Sequence, residues 1–91
     1  MSRPFSSPDV FRAVSDPIRR KILDLLRRRD MTPSELGQSF AVAKPTLSFH
    51  LRVLRQSGLI SVERRGATLL CRANRAALRP VFLWVDSQRS P

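Results

Sequence analysis

The chain has 91 residues, of which 42% are hydrophobic and 26% are charged. This length predicts a single domain, and the apolar content is too high for a disordered chain. Seventeen basic residues outweigh seven acidic ones, and the net charge of +10 predicts a polyanionic partner. Nucleic acid is the first candidate, and the alternatives are an anionic membrane surface or a charge that serves only solubility. No segment has the roughly 20 apolar residues of a membrane span or the apolar core of a signal peptide, so we expect a cytoplasmic protein.

Four prolines mark predicted helix starts. Proline suits the first helical position because its missing N–H would be unpaired there, and Ser, Asp and Thr are good N-caps. At the third start, Thr32 and Glu35 have the spacing of a capping box, in which each side chain pairs with the other residue's backbone N–H. The four dipeptides are Ser7-Pro8, Asp16-Pro17, Thr32-Pro33 and Lys44-Pro45.

Apolar residues recur at helical spacing between these starts. Over 16–29 they form one stripe, and the basic residues around it, Arg19 among them, are expected on the solvated face. The next helix is short, contributes Leu36 and Phe40, and ends before Lys44. The stripe of 16–29 consists of Ile18, Ile22, Leu25 and Leu26.

The period becomes strand-like after the fourth helix, which is expected to end at Gly58. Segments 59–64 and 67–72 are rich in β-branched and aliphatic residues, and they predict two strands. Arg65-Gly66 between them predicts a tight hairpin turn.

A last helix follows the hairpin and can be capped by Asn74. It either kinks at Pro80 or begins there, because proline removes one hydrogen bond and clashes with the preceding turn. With 1–6 and 87–91 as frayed tails, the sequence predicts one domain over 7–89. The order α-α-α-α-β-β-α is that of a mainly helical winged helix-turn-helix with a β-hairpin.

The second helix of a helix-turn-helix lies in the major groove, whose width of about 12 Å just admits it. Segment 44–57 has that position. Its residues Leu47, Leu51 and Leu54 fall on one side and are expected to face the core. The candidate DNA-binding residues of this helix are Lys44, Thr46, Ser48, Phe49, His50, Arg52, Arg55 and Gln56.

Each candidate also has a structural interpretation. The arginines could be solvated charges, Phe49 a packing residue, and His50, which borders the leucines, a half-buried structural residue. Arg64 and Arg65 at the hairpin tip are expected to enter the minor groove or contact a phosphate, although charged tips also serve solubility.

Segments 14–23 (VSDPIRRKIL) and 44–60 (KPTLSFHLRVLRQSGLI) resemble the ArsR/SmtB type of winged helix-turn-helix regulators. The likeness extends over roughly residues 10–86. It implies a homodimer that pairs through its first and last helices and binds an imperfect inverted repeat in an operator. The implied dimer-interface residues are Val10, Phe11, Val81, Trp84 and Val85.

The chain departs from the metal sensors of this family, which carry cysteines in the helix before the turn or Asp, His and Glu ligands in the last helix. Here 31–40 has neither cysteine nor histidine and the last helix has no histidine, so we expect no metal and no cofactor. The pattern is similar to the metal-independent branch of the sporulation-delay repressor. The single cysteine, Cys71, is expected to be a small apolar residue. Ala43 replaces the family's frequent serine N-cap, at a cost of around 1 kcal/mol.

These features predict a sequence-specific transcriptional repressor, which could repress its own gene, acting as a homodimer on double-stranded DNA. Non-specific DNA compaction, and release by an unidentified small-molecule or protein effector, are the alternatives. We do not expect an enzyme, because the chain has one histidine and assembles no catalytic motif.

Overall fold

The computed structural model describes residues 8–89, so Ser7, the expected cap of the first helix, and the tail 1–6 lie outside the described residues. The order α-α-α-α-β-β-α is confirmed. The elements are α1 (Pro8–Val14), α2 (Pro17–Arg28), α3 (Pro33–Gln38), α4 (Lys44–Gln56), β1 (Ile60–Arg65), β2 (Thr68–Ala73) and α5 (Arg75–Arg89).

The second, third and fourth helices begin where the prolines predict. The Asp16 side chain accepts from the backbone N–H of Arg19 at 3.0 Å at the start of α2. Thr32 and Glu35 form the predicted capping box, with N–O distances of 3.1 and 2.9 Å. The hydrogen bond from the Thr32 backbone also holds the pKa of the Glu35 carboxyl below its usual value. Helix α4 starts one residue before its proline, and Ala43 gives it no side-chain cap.

The hydrophobic core lies where α2, α4 and α5 meet the hairpin. The predicted leucine face of α4 is confirmed, since Leu47, Leu51 and Leu54 are all buried. Leu59, directly after α4, is also fully buried. The other large side chains that are fully buried are Ile22, Leu23, Leu26, Leu36, Leu78 and Val81.

The expectation of a solvated Arg19 is wrong, because its side chain is only 7% exposed. Helix α1 ends without a glycine, so its last carbonyl groups need other donors. Arg19 supplies two of them, from Nε to the Ala13 carbonyl at 2.9 Å and from Nη2 to the Arg12 carbonyl at 3.2 Å. Arg20 donates to the Val14 carbonyl at 2.8 Å. Two neighbouring arginines thus close the end of α1.

The hairpin turn lies one residue later than predicted, at Gly66 and Ala67, and Arg65 still pairs across the two strands. Gly66 has φ +63°, a backbone conformation that favours glycine. A backbone bridge that the sequence does not reveal fixes β2. Met31 and Cys71 exchange two N–H···O bonds, of 3.1 and 2.8 Å, which tie the residue before the α3 cap to the middle of β2.

Helix α5 runs from Arg75 to Arg89 with Pro80 inside it, so the alternative start at Pro80 is wrong. The Asn74 side chain accepts from the backbone N–H of Ala77 at 3.3 Å, which confirms the predicted cap. Residues 87–89 belong to this helix rather than to a frayed tail. Over the described range 8–89, no helix is long and apolar enough to cross a membrane.

Candidate nucleic-acid interface

Helix α4 presents two different faces. Its leucines anchor one side in the core, with Leu54 completely buried. The predicted DNA-binding residues on the rest of the helix, apart from His50, are all exposed, so the anchored face determines which side chains point outward. These exposed residues are Lys44, Thr46, Ser48, Phe49, Arg52, Arg55 and Gln56.

The end of α4 places the β1–β2 hairpin, called the wing below, beside this face. Gly58 has φ +80° and donates to the Arg55 carbonyl at 3.1 Å, while Leu59 donates to the Leu54 carbonyl at 3.1 Å. These two bonds form a Schellman motif, which confirms the predicted C-terminal glycine. Strand β1 then begins at residue 60. The wing is therefore joined to α4 by a short connection of fixed geometry.

A shallow groove of about 340 Å³ separates the wing from α4. Arg52 and Arg55 of α4 line one side, and Val62 and Leu69 of the wing line the other. The two predicted contact elements thus belong to one continuous surface.

Three arginines on this surface have guanidinium groups without a partner in the described part of the chain. Among residues 8–89, the side chains of Arg52, Arg55 and Arg64 make no hydrogen bond or ion pair. Arg65 differs, because its guanidinium is 3.2 Å from the Glu63 carboxylate. Guanidinium groups without an internal partner are suited to phosphates and to the edge of guanine.

Phe49 is partly packed and partly exposed. Its side chain is 43% exposed, and its ring lies 5.6 Å from that of His50 at a tilt of 58°. The exposed part borders a cleft of about 250 Å³ that is also lined by Arg52, Gln56 and Arg12 of α1. Arg12 was not among the predicted contacts, because its place beside α4 depends on how the helices pack.

The burial of His50 contradicts its predicted DNA contact. The ring is 7% exposed, and its Nδ1 atom lies 3.1 Å from Nη1 of Arg19 and 3.9 Å from the Asp16 carboxylate. The structural interpretation therefore describes His50 correctly. Its spacing beside the leucine stripe is the sequence signal for this role.

A sequence profile described as "Bacterial regulatory protein, arsR family" matches residues 16–62, more than half of the chain. The transcriptional repressor SdpR of Bacillus subtilis (strain 168) is 42% identical over 77 residues, which cover 85% of this chain and 86% of that protein. The chain belongs to the arsR family of bacterial regulatory proteins. A probable mercury resistance operon repressor of Streptomyces lividans is 34% identical over 70 residues, which span 72% of this chain and 56% of that protein.

The solved structures also support the winged helix-turn-helix fold expected of an arsR-family protein. A homodimeric winged helix-turn-helix DNA-binding domain from Mycobacterium bovis superposes with a TM-score of 0.77. It is 23% identical, and the alignment covers 88% of this chain and 76% of that one. Helix α4 is therefore the second helix of the helix-turn-helix in this fold.

The predicted dimer residues of this arsR-family chain lie on α1 and α5 with different exposures. Phe11 is 37% exposed, whereas Val81 is 2% exposed and packs in the core of its own protomer, which contradicts its predicted interface role. Leu83 is 61% exposed and was not among the predicted interface residues. The remaining three, Val10, Trp84 and Val85, are half-buried.

Cys71 is fully buried in β2. Burial raises the pKa of its thiol to about 11, because a thiolate would lose its hydration there. An uncharged thiol is a poor metal ligand and a slow nucleophile, which agrees with the predicted apolar role.

Proposed function

We propose that the protein is a homodimeric transcriptional repressor whose two α4 helices read the half-sites of an inverted-repeat operator. One observation carries the proposal. The leucine side of α4 is anchored in the core, and its opposite side is an exposed row of polar, aromatic and cationic side chains beside a basic wing. A rigidly held helix with such a face fits the major groove.

Different side chains of this face are suited to different groups of the DNA. Arg52 and Arg55 have guanidinium groups for guanine or phosphate, and Thr46 and Ser48 can donate or accept hydrogen bonds. The exposed part of Phe49 is suited to a thymine methyl group. On the wing, Arg64 is placed for a phosphate or the adjacent minor groove, and Arg65 is a weaker candidate because Glu63 balances its charge.

We also propose that two protomers pair through α1 and α5. Phe11 and Leu83 leave large apolar surfaces on these helices exposed, at 37% and 61%. The Mycobacterium bovis domain that shares this fold is homodimeric, and we propose the same assembly here. A twofold dimer would place its α4 helices on half-sites about 10–10.5 base pairs apart, or on multiples of that distance.

We further propose that repression does not use the metal sites of related sensors. The sequence has one cysteine and one histidine. Cys71 is buried with a raised pKa, and the Nδ1 atom of His50 is held by Arg19. Any molecule that releases the repressor from DNA would then bind to side chains other than Cys71 and His50.

Footprinting on DNA upstream of the protein's own gene tests the proposal, including self-repression. We expect a protected inverted repeat whose affinity falls steeply with salt, by about 10³–10⁵ between 50 and 200 mM for 6–10 phosphate contacts. Competition with random DNA should give a specificity ratio above about 10³. Uniform protection with a lower ratio would instead support DNA compaction and refute the proposal.

The variants Arg52→Ala and Arg28→Ala form a matched pair for this assay. Each removes one exposed arginine from a helix, but Arg28 lies on α2 and pairs with Asp24 at 3.2 Å. We expect Arg52→Ala to weaken operator binding about 10- to 100-fold and Arg28→Ala to weaken it about twofold. Equal losses would show that only total charge matters.

A further inference from the structure

Three helices meet at one buried guanidinium group. Arg19 of α2 donates from Nε to the Ala13 carbonyl at 2.9 Å and from Nη2 to the Arg12 carbonyl at 3.2 Å, both in α1. Its Nη1 atom is 3.1 Å from Nδ1 of His50, in the middle of α4. A single side chain therefore connects the end of α1 to the DNA-reading helix.

Arg19 and His50 have different roles in this contact. Arginine is only a donor, so Nδ1 of His50 is the acceptor in this contact. The Asp16 carboxylate lies 3.9 Å from Nδ1 and accepts the Arg19 backbone N–H at 3.0 Å. Within the described residues, no buried side-chain N or O atom lacks a hydrogen-bond partner. Removing the acceptor would leave a buried cationic N–H unpaired, which is costly.

The contact also lies next to the exposed side of α4. His50 directly follows Phe49, and the two rings are 5.6 Å apart. Any rotation of α4 that breaks the His50 contact also moves Phe49, together with Arg52 on the following part of the helix. On the other side of the contact, α1 carries Phe11, one of the proposed dimer residues. The Arg19 bonds thus connect the proposed pairing helix with the proposed reading face.

We propose that Arg19 and His50 are a positioning pair. Their contact holds α4 at the angle to α1 that allows the α4 helices of both protomers to enter the major groove together. This inference rests on the proposed function for its effect on DNA. The bonds themselves lie within one protomer. Loss of the Arg19–His50 contact should lower the affinity for operator DNA, and it should leave the charge-driven affinity for random DNA unchanged.

The variants His50→Asn and His50→Leu separate this role from simple packing. The asparagine side-chain oxygen lies near the position of Nδ1 and keeps an acceptor for Arg19, whereas leucine has a similar size and no acceptor. Both variants carry an uncharged side chain at this position. We expect His50→Leu to lower operator affinity about tenfold or more, and His50→Asn to stay within about threefold of the parent. Affinity for random DNA, and its dependence on salt, should not change in either variant.

Amide hydrogen exchange of the protein without DNA gives an independent measurement. We expect His50→Leu to accelerate exchange about tenfold in α4 and at the end of α1, relative to α3, and His50→Asn to restore the parental rates. Equal rates in the two variants, or acceleration spread evenly over the core, would overturn the positioning pair. A parent protein without preference for any DNA sequence would refute the proposed function instead, and the exchange rates would still decide the role of the pair.

Discussion

Replacing Phe49 with alanine measures how much this side chain contributes to the stability of the fold and how much to the discrimination between DNA sequences. The side chain is 43% exposed, so slightly more than half of it is buried. Truncating a fully buried phenylalanine costs about 3–5 kcal/mol, and this degree of burial therefore predicts a loss of about 1.7–2.9 kcal/mol in unfolding free energy. For a domain of this size, the loss corresponds to a fall in Tm of roughly 10 °C.

A change in DNA discrimination is expected in addition to this loss of stability. A lost base contact reduces discrimination by about 1–3 kcal/mol, or about 5- to 150-fold in the ratio of operator to random-DNA affinity. Fluorescence anisotropy with both DNAs, well below the Tm of the variant, measures that ratio. Phe49→Leu is the control, because it keeps apolar surface without an aromatic ring. An unchanged ratio together with a stability loss above about 3 kcal/mol would show that Phe49 only packs.

Three further predictions concern the elements that hold the interface in place. Ala43→Ser adds a hydroxyl to the uncapped start of α4 and should raise the unfolding free energy by about 0.5–2 kcal/mol in urea titrations; no gain would contradict the account of this helix end. Gly58→Ala meets no atom within 4 Å, so only the strain at φ +80° should appear, about 1–2 kcal/mol, and a much larger loss would indicate a steric cost that the structure lacks. Cys71 should react slowly with iodoacetamide until the protein unfolds. Because its pKa is about 11 when folded and about 9 when unfolded, stability should fall as the pH rises from 9 to 11, and Cys71→Ala should remove that part of the pH dependence.

The helix starts and the buried face of α4 could be predicted because their signals are local. Proline after a capping residue sets the start of α2 and α3, and the capping box of Thr32 and Glu35 requires only a spacing of three residues. The leucine face of α4 follows from helical periodicity alone. The same periodicity placed the exposed DNA-reading candidates on the remaining sides of this helix.

The features that could not be predicted depend on contacts between distant segments. Arg19 lies in a run of basic residues that is typical of a solvated face, and its burial follows from the unpaired carbonyls of α1 and the acceptor of His50. The turn lies at Gly66 and Ala67 because Arg65 pairs with Thr68 across the two strands. The bridge between Met31 and Cys71 joins two segments that are distant in the sequence. Val81 has the same apolar character as an interface residue, and only the packing of α5 shows that it faces the protomer core.

Selection of binding sites from random-sequence DNA tests the central claim most directly, because it requires no knowledge of the promoter. The account predicts an enriched sequence with dyad symmetry, whose half-sites are centred about 10–10.5 base pairs apart or a multiple of that distance. The Arg52→Ala protein should enrich a changed or degenerate half-site, whereas Arg28→Ala should enrich the same site as the parent. A pool without sequence enrichment, or a single half-site without symmetry, would contradict a dimer that reads DNA with α4.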